Sequence, residues 1–256
     1  MLAPACWYDE AMRQAGITPG CARRVAFFGG SFDPPHLGHL AVARAALELD
    51  TVLFAPVGAQ PLKTQGSTAG YEDRVEMTRL AIAAEPGFEV SLADAPKPSG
   101  EPNYTLETLE TLHGGMGEDC LLFFLMGADS FLGLRKWHRA AEIPFAAPLI
   151  VASRPGQKMK GVKAALPPGL TMESAPMRSE TRGGVEVRTF WLTNQVGDRA
   201  VLYLLQGLDV PISASEIRAG IGAAIRAASG QEAQTAGREL VPPAVAEYVR
   251  ARGLYR

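Results

Sequence analysis

The chain has 256 residues, 47% of them hydrophobic, and a formal net charge of −2. That size admits one large domain or two small ones, and that composition supplies a buried core. The balance of charge excludes a global basic field for nucleic acid or an anionic membrane, and no apolar run is long enough to span a bilayer. Residues 1–20 lack the basic-then-apolar order of a signal peptide. Cys6, Cys21 and Cys120 lie far apart with no C-x-x-C, as free thiols of a reducing cytoplasm do.

Residues 1–23 read as an N-terminal extension to a domain over 24–256. The apolar run 25–28 reads as a buried parallel strand. Gly29 and Gly30 let the backbone turn tightly and approach a ligand. Ser31, Asp33, Pro34 and Pro35 make a rigid polar turn. His36, Gly38 and His39 then open an Ala- and Leu-rich segment, predicted helical over 37–49. A helix N-terminus offers unpaired N–H groups and partial positive charge, and two imidazoles three residues apart share one side of its first turn. Two such histidines also describe a metal pair or a solvated face. The strand, the glycines and the Asp-Pro-Pro in front favour phosphate, with the imidazoles becoming cationic near neutral pH.

Residues 51–56 are a second strand, followed by a loop over 57–70. The helix predicted over 71–84 places Arg74 and Arg79 at the surface. Residues 88–92 alternate like a strand, and a Pro-rich loop over 95–102 delivers Asn103, Tyr104 and Thr105. Thr105 is the expected cap of a helix over 106–112. The apolar run 120–126 is a central strand buried on both faces, and Gly127 to Ser130 stand at its ligand-facing end. Another strand over 148–153 ends at Arg154. A flexible loop is expected over 178–184, then strands over 185–193 and 201–205 joined by a hairpin turn at 194–198. Ser213 and Glu216 form a capping box for a helix running to 225, on which Arg218 offers a charged fork suited to phosphate; capping alone also explains the pair. A last helix covers 242–252. The alternation predicts an α/β fold: a Rossmann-like, doubly wound, mainly parallel sheet with helices on both faces.

The stretch Gly29-Gly30-Ser31-Phe32-Asp33-Pro34-Pro35-His36-Leu37-Gly38-His39 resembles the signature of the H-x-G-H nucleotidylyltransferases, and among them most closely that of the bacterial nicotinate-nucleotide adenylyltransferases. Ile212-Ser213-Ala214-Ser215-Glu216-Ile217-Arg218 resembles their second signature, I-S-S-T-x-I-R, with Ala214 and Ser215 departing from Ser-Thr. Two signatures in the correct order are far more specific than either alone. The resemblance covers most of 24–256 and leaves a variable insertion around 157–200. It implies ATP contacts at Gly29, Gly30, Ser31 and Phe32, at Gly127, Asp129 and Arg154, and at Ile212 and Ser213. It implies that His36, His39 and Arg218 are catalytic. For nicotinate mononucleotide it implies Tyr104 and Thr105 at a helix N-terminus that holds the carboxylate, Trp137 beside the pyridine ring, and Lys63. By the residues alone, core packing is the favoured reading of Trp137, Tyr104-Thr105 is an ordinary cap, and Lys63 is equally a solvated lysine. Leu62 stands where relatives carry a histidine.

The implied reaction joins ATP and nicotinate mononucleotide into deamido-NAD and pyrophosphate, with Mg²⁺ carried on the ATP phosphates and no metal site of the protein's own. No Ser-His-Asp set, Cys/His cluster or Walker loop is evident in the sequence. The chemistry fits that, because the acceptor phosphate, with a second pKa of about 6, needs no general base. It needs alignment and neutralisation of charge. Nicotinamide mononucleotide or pantetheine phosphate as acceptor, and a non-catalytic nucleotide sensor, are the alternatives. The expected setting is cytoplasmic, without nucleic-acid or membrane partners, and with a homo-oligomer left open.

Overall fold

The computed structural model describes residues 23–46, 49–62, 66–117, 119–153, 159–175, 180–182, 184–208, 215, 217–220 and 240–255. The readings at residues 1–20, Lys63, Arg154, Ile212, Ser213 and Glu216 lie outside the described residues.

Among the described residues nine strands are formed: β1 (Arg23–Gly30), β2 (Thr51–Pro56), β3 (Phe88–Val90), β4 (Cys120–Gly127), β5 (Leu149–Ala152), β6 (Thr171–Ser174), β7 (Glu180–Arg182), β8 (Val185–Thr193) and β9 (Arg199–Gln206). They make one sheet in the order β3-β2-β1-β4-β5-β9-β8-β6, with β7 pairing β8. The helices are α1 (Leu37–Ala45), α2 (Tyr71–Ile82), α3 (Thr105–Gly115), α4 (Ala128–Gly133), α5 (Ile143–Ala146), α6 (Met159–Ala165) and α7 (Pro243–Arg252). None of the described helices is long and apolar enough to cross a membrane. The fold is α/β and Rossmann-like, as the alternation predicts.

The chain divides into two compact units that interleave along the sequence. The first comprises Met1–Phe28, Val42–Val52 and Tyr104–Asp209. Its core is made by β4, β5 and β9, which run parallel to one another, with β1 parallel to β4. Leu149 to Ala152 and Ala200 to Leu205 are buried at every position. Consecutive burial means that both faces are covered, which is why these strands read as unbroken apolar runs rather than alternating ones. Antiparallel β8 continues the sheet beyond β9, and Asn194 closes the hairpin between them. The Asn194 side-chain oxygen accepts the N–H groups of Val196 and Asp198, a local turn device of asparagine. The expected flexible loop over 178–184 is corrected in part: residues 180–182 form β7, paired antiparallel with β8 from Glu180 opposite Val187 to Arg182 opposite Val185. Cross-strand pairing with Val185 and Val187, both buried, gives this polar segment a partner that its own composition does not announce.

The second unit comprises Gly29–Ala41, Leu53–Asn103 and Val210–Arg256. Its centre is aromatic: the Phe32 and Phe54 rings lie 5.5 Å apart, and Phe54 meets Phe88 at 5.3 Å. α2 packs against α7, where the Tyr248 hydroxyl and the Arg252 guanidinium both donate to Asp73. The buried face of α2 holds Arg74, Val75, Met77, Thr78, Ala81 and Ile82. Arg74 is therefore not at the surface as expected; it is 2% exposed, whereas Arg79 is solvated beside Glu76.

Candidate active site

Two signature segments meet in the second unit. β1 ends in Gly29 and Gly30, and the chain turns through Ser31 and Phe32 into a cis Asp33–Pro34 peptide. Phe32 has φ 45, a left-handed conformation uncommon for a residue with a side chain, and its ring is fully buried. A Cβ on Gly30 would stand 3.2 Å from that ring. Gly30 thus makes room for Phe32.

Phe32 in turn places the histidines. Its ring meets His39 edge-on at 4.9 Å, and His39 stacks on His36 at 3.7 Å with 26° between the planes. His36 occupies the N-cap position of α1, since its carbonyl accepts the N–H groups of His39 and Leu40. The His36 N–H donates to His39 Nδ1 at 3.2 Å. That is the return bond of a capping box, made here by an imidazole at the third helical position in place of the usual Glu or Gln. An Nδ1 that accepts carries no proton, so the His39 proton sits on Nε2.

Burial holds His39 well below the ordinary histidine value of 6.5, and the neighbouring His36 lowers it further. His39 is neutral at pH 7 in the free site, correcting the expectation of a histidine becoming cationic there. The consequence for stability has a definite sign. Above pH 6.5 the folded and unfolded imidazoles are both neutral. Below it the unfolded chain takes up a proton that the folded site resists, so stability falls with acidification. The melting temperature of the wild type is expected to drop more between pH 7 and pH 5 than that of His39→Gln, measured by differential scanning fluorimetry. Parallel curves would show that His39 is not held neutral.

Asp33 is the hub of the turn. It is 3% exposed, and its carboxylate accepts the N–H groups of Thr68 at 2.6 Å and Ala69 at 3.1 Å and the Tyr255 hydroxyl at 2.8 Å. Its backbone carbonyl accepts Arg218 Nη1 at 2.6 Å, and Arg218 Nη2 reaches Ser215 Oγ at 3.3 Å. This is how the late signature joins the early one. Arg74 braces the same turn from inside, donating to the carbonyls of Ser31 and Val57 at 2.8 Å each and of Ala69 at 3.3 Å. Burial lowers its pKa, with Asp33, Tyr71 and Tyr255 opposing.

The loop after β2 is held as firmly. Asn103 accepts the Ala59 N–H and donates to the Ala95 carbonyl. Gly58 passes so close to Pro96 that a Cβ would lie 2.4 Å from its nitrogen. The Gln60 amide reaches Ser31 Oγ at 3.3 Å, and Leu62, in the place of the relatives' histidine, is 60% exposed.

In the first unit, Tyr104 is the N-cap of α3 and no side-chain bond caps that helix. Thr105 is the first helical residue rather than the cap expected of it. The Tyr104 ring lies 4.4 Å from His138. Trp137 follows a short 3₁₀ turn over Leu134–Lys136, is half-buried, and approaches Phe124 at 6.2 Å. Gly127 is the N-cap of α4, with open space where a side chain would stand, and Asp129 is exposed in its first turn.

Sequence reasoning missed three residues that shape the site. Arg74 shares the stripe of Thr78, Ala81 and Ile82 at spacings of four, seven and eight, a periodic signal overridden by its charge. Asp33 was legible only as a turn former. The role of Tyr255 carries no local signal.

The sequence profile described as cytidylyltransferase-like matches residues 27–220. A curated relative from Roseiflexus sp. (strain RS-1), named as a probable nicotinate-nucleotide adenylyltransferase, is 35% identical over 91% of this chain and 98% of its own length. One of the same name from Stenotrophomonas maltophilia (strain K279a) is 37% identical over 90% and 96%. The solved Plasmodium falciparum nicotinic acid mononucleotide adenylyltransferase, complexed with NaAD, superposes with a TM-score of 0.60 over 91% of this chain and 97% of its own; at 14% identity that likeness speaks for the fold. Spanned almost end to end by such relatives and carrying both signatures on one turn, the chain belongs to the cytidylyltransferase-like family and, within it, to the nicotinate-nucleotide adenylyltransferases.

Proposed function

We propose that this protein transfers the adenylyl group of ATP to nicotinate mononucleotide, releasing pyrophosphate and forming deamido-NAD for NAD biosynthesis. The observation that carries the reading is the convergence of His36, His39 and Arg218 on one buried turn at the start of α1. An oxygen of the acceptor phosphate attacks the α-phosphorus, and the bond from that phosphorus to the bridging oxygen of the β-phosphate breaks. Negative charge grows on the leaving pyrophosphate. His39 Nε2–H donates to it as a neutral, preorganised donor, and His36 stacks behind it. The N–H groups of Leu37 and Gly38, which have no intrahelical partners, and the Arg218 guanidinium complete the anion site. Gly29, Gly30, Ser31 and Phe32 shape the ATP-facing turn.

Mg²⁺ fits this site as a passenger on the triphosphate, where it neutralises phosphate charge, since Mg²⁺ is commonly bound through substrate phosphates. Asp33 is the acidic side chain nearest the histidines in sequence, and two N–H groups and a hydroxyl already engage its carboxylate. It suits a brace better than a metal ligand.

For the acceptor, the α3 N-terminus without a side-chain cap suits the pyridine carboxylate, and Trp137 suits the ring by stacking. Thr105, Lys63, Gly127, Asp129, Arg154, Ile212 and Ser213 keep the roles the family pattern implies. A cytoplasmic enzyme acting on free nucleotides completes the reading. The test is pyrophosphate release with ATP and each of nicotinate mononucleotide, nicotinamide mononucleotide and pantetheine phosphate. Turnover on the nicotinate compound is expected to exceed the amide by about tenfold or more, the worth of one hydrogen bond to a charged group. Equal rates would overturn the carboxylate assignment, and no pyrophosphate from any acceptor would leave a nucleotide sensor.

A further inference from the structure

Residues 253–255 leave α7 by a sharp reversal. Gly253 has φ 62, and the N–H groups of Gly253 and Leu254 close back on the carbonyls of Arg250 and Val249. This is the glycine-terminated end that turns a chain across its own helix. Tyr255 follows with φ 64, a conformation that disfavours a residue with a Cβ. It persists because the surroundings fix it. α7 is anchored to Asp73 by Tyr248 and Arg252, and the Tyr255 hydroxyl is received by Asp33 Oδ1. Burial first, and then the Asp33 carboxylate, raise the phenol far above its ordinary range, so it stays a donor at every working pH.

Asp33 thus carries Tyr255 on its side chain and Arg218 on its carbonyl. Arg218 Nη1 also stands 4.0 Å from Asp33 Oδ2, a long ion pair at the outer limit of such contacts. We propose that Tyr255 is a positioning residue for the ATP site: by occupying the Asp33 carboxylate, it keeps Arg218 on the backbone carbonyl and free to take phosphate. Without the hydroxyl, the carboxylate has lost one of its three hydrogen-bond donors, and the Arg218 guanidinium already paired with it at long range can close in. Arg–carboxylate pairs favour a two-point fork. Arg218 would rotate onto Asp33 and spend on it the N–H groups that a triphosphate needs. This inference rests on the reading of Arg218 as a phosphate ligand.

The experiment compares wild type, Tyr255→Phe, Tyr248→Phe and Arg218→Ala in steady-state assays with each substrate varied in turn, alongside melting curves. Tyr255→Phe removes a single oxygen. It is expected to lower kcat/KM for ATP about tenfold, the scale of one hydrogen bond to a charged group, while KM for nicotinate mononucleotide stays unchanged. Tyr248→Phe removes the neighbouring hydroxyl bond to Asp73 and is expected to lower the melting temperature while kcat/KM for ATP holds. A merely structural tail would make both variants lose activity in step with melting temperature, and that result overturns the proposal, as does wild-type kcat/KM for ATP in Tyr255→Phe. Collapse of turnover in Arg218→Ala with an unaffected Tyr255→Phe would overturn the positioning role alone. Wild-type turnover in Arg218→Ala would overturn the phosphate role of Arg218 and this inference with it.

Discussion

Replacing Arg74 with alanine is expected to lower the unfolding free energy by about 4 kcal/mol, the range seen when one partner of a buried charged group is removed. For a chain of this size that is a fall of roughly 10 °C in melting temperature, measurable by circular dichroism. The guanidinium is 2% exposed and serves three carbonyls, those of Ser31, Val57 and Ala69. Each left buried without a donor costs about 1–3 kcal/mol, and water entering the vacated volume recovers part of it. Lysine is expected to recover less than half of the loss, because an ammonium on a flexible stem cannot reproduce a planar fork aimed at carbonyls in different directions. The same three carbonyls belong to the glycine turn and the loops after β2 and before α2, so activity is expected to fall even at temperatures where the variant is folded. A melting temperature within 2 °C of wild type, a shift of roughly 1 kcal/mol or less, would show that the brace is dispensable.

For His39→Ala, the expected result is a kcat at least about a hundredfold lower, the usual consequence of removing one preorganised donor from a developing negative charge. The fold should survive, because the lost contacts include only modest ones such as an edge-on ring contact with Phe32, a stack on His36 and a bond to the His36 N–H. Single-turnover measurement at saturating substrates separates this loss from product release. The neutral ring matters for the pH profile. Since the donor is Nε2–H of an uncharged imidazole, raising the pH from 7 to 8 does not remove it, and the rate should not fall over that range on account of His39. Wild-type turnover in a folded His39→Ala protein would show that the imidazole takes no part in the chemistry.

Much of this was legible in the sequence where one local rule dominates. The strand Thr51–Pro56 and the strand Val185–Thr193 have the bounds that alternation and turn residues assign them. The histidine pair, too, sits at a helix start, as the Asp-Pro-Pro turn before it predicts. Where the reading failed, a neighbour that no local rule names decided the outcome. Charge argued Arg74 outward, but carbonyls from three other segments made the interior a better solvent for it. Residues 180–182 are polar and short, and β8 made a strand of them. Thr105 has the chemistry of a cap, yet α3 begins on it because Tyr104 adopts the extended backbone of the N-cap position. Gly30 was read for a tight turn and ligand approach, and its absent side chain also makes room for Phe32 from two residues on.

The contacts of Asp33 also bear on how the protein is made. This residue is joined to Arg218 across 185 positions and to Tyr255 across 222. A ribosome delivers the histidine turn well before either fastener. Until then only the Thr68 and Ala69 N–H groups can share the Asp33 carboxylate. Pairings so remote slow the search for the native state. The expected rhythm of biogenesis is a nucleotide turn that sets only after both of these distant partners have emerged.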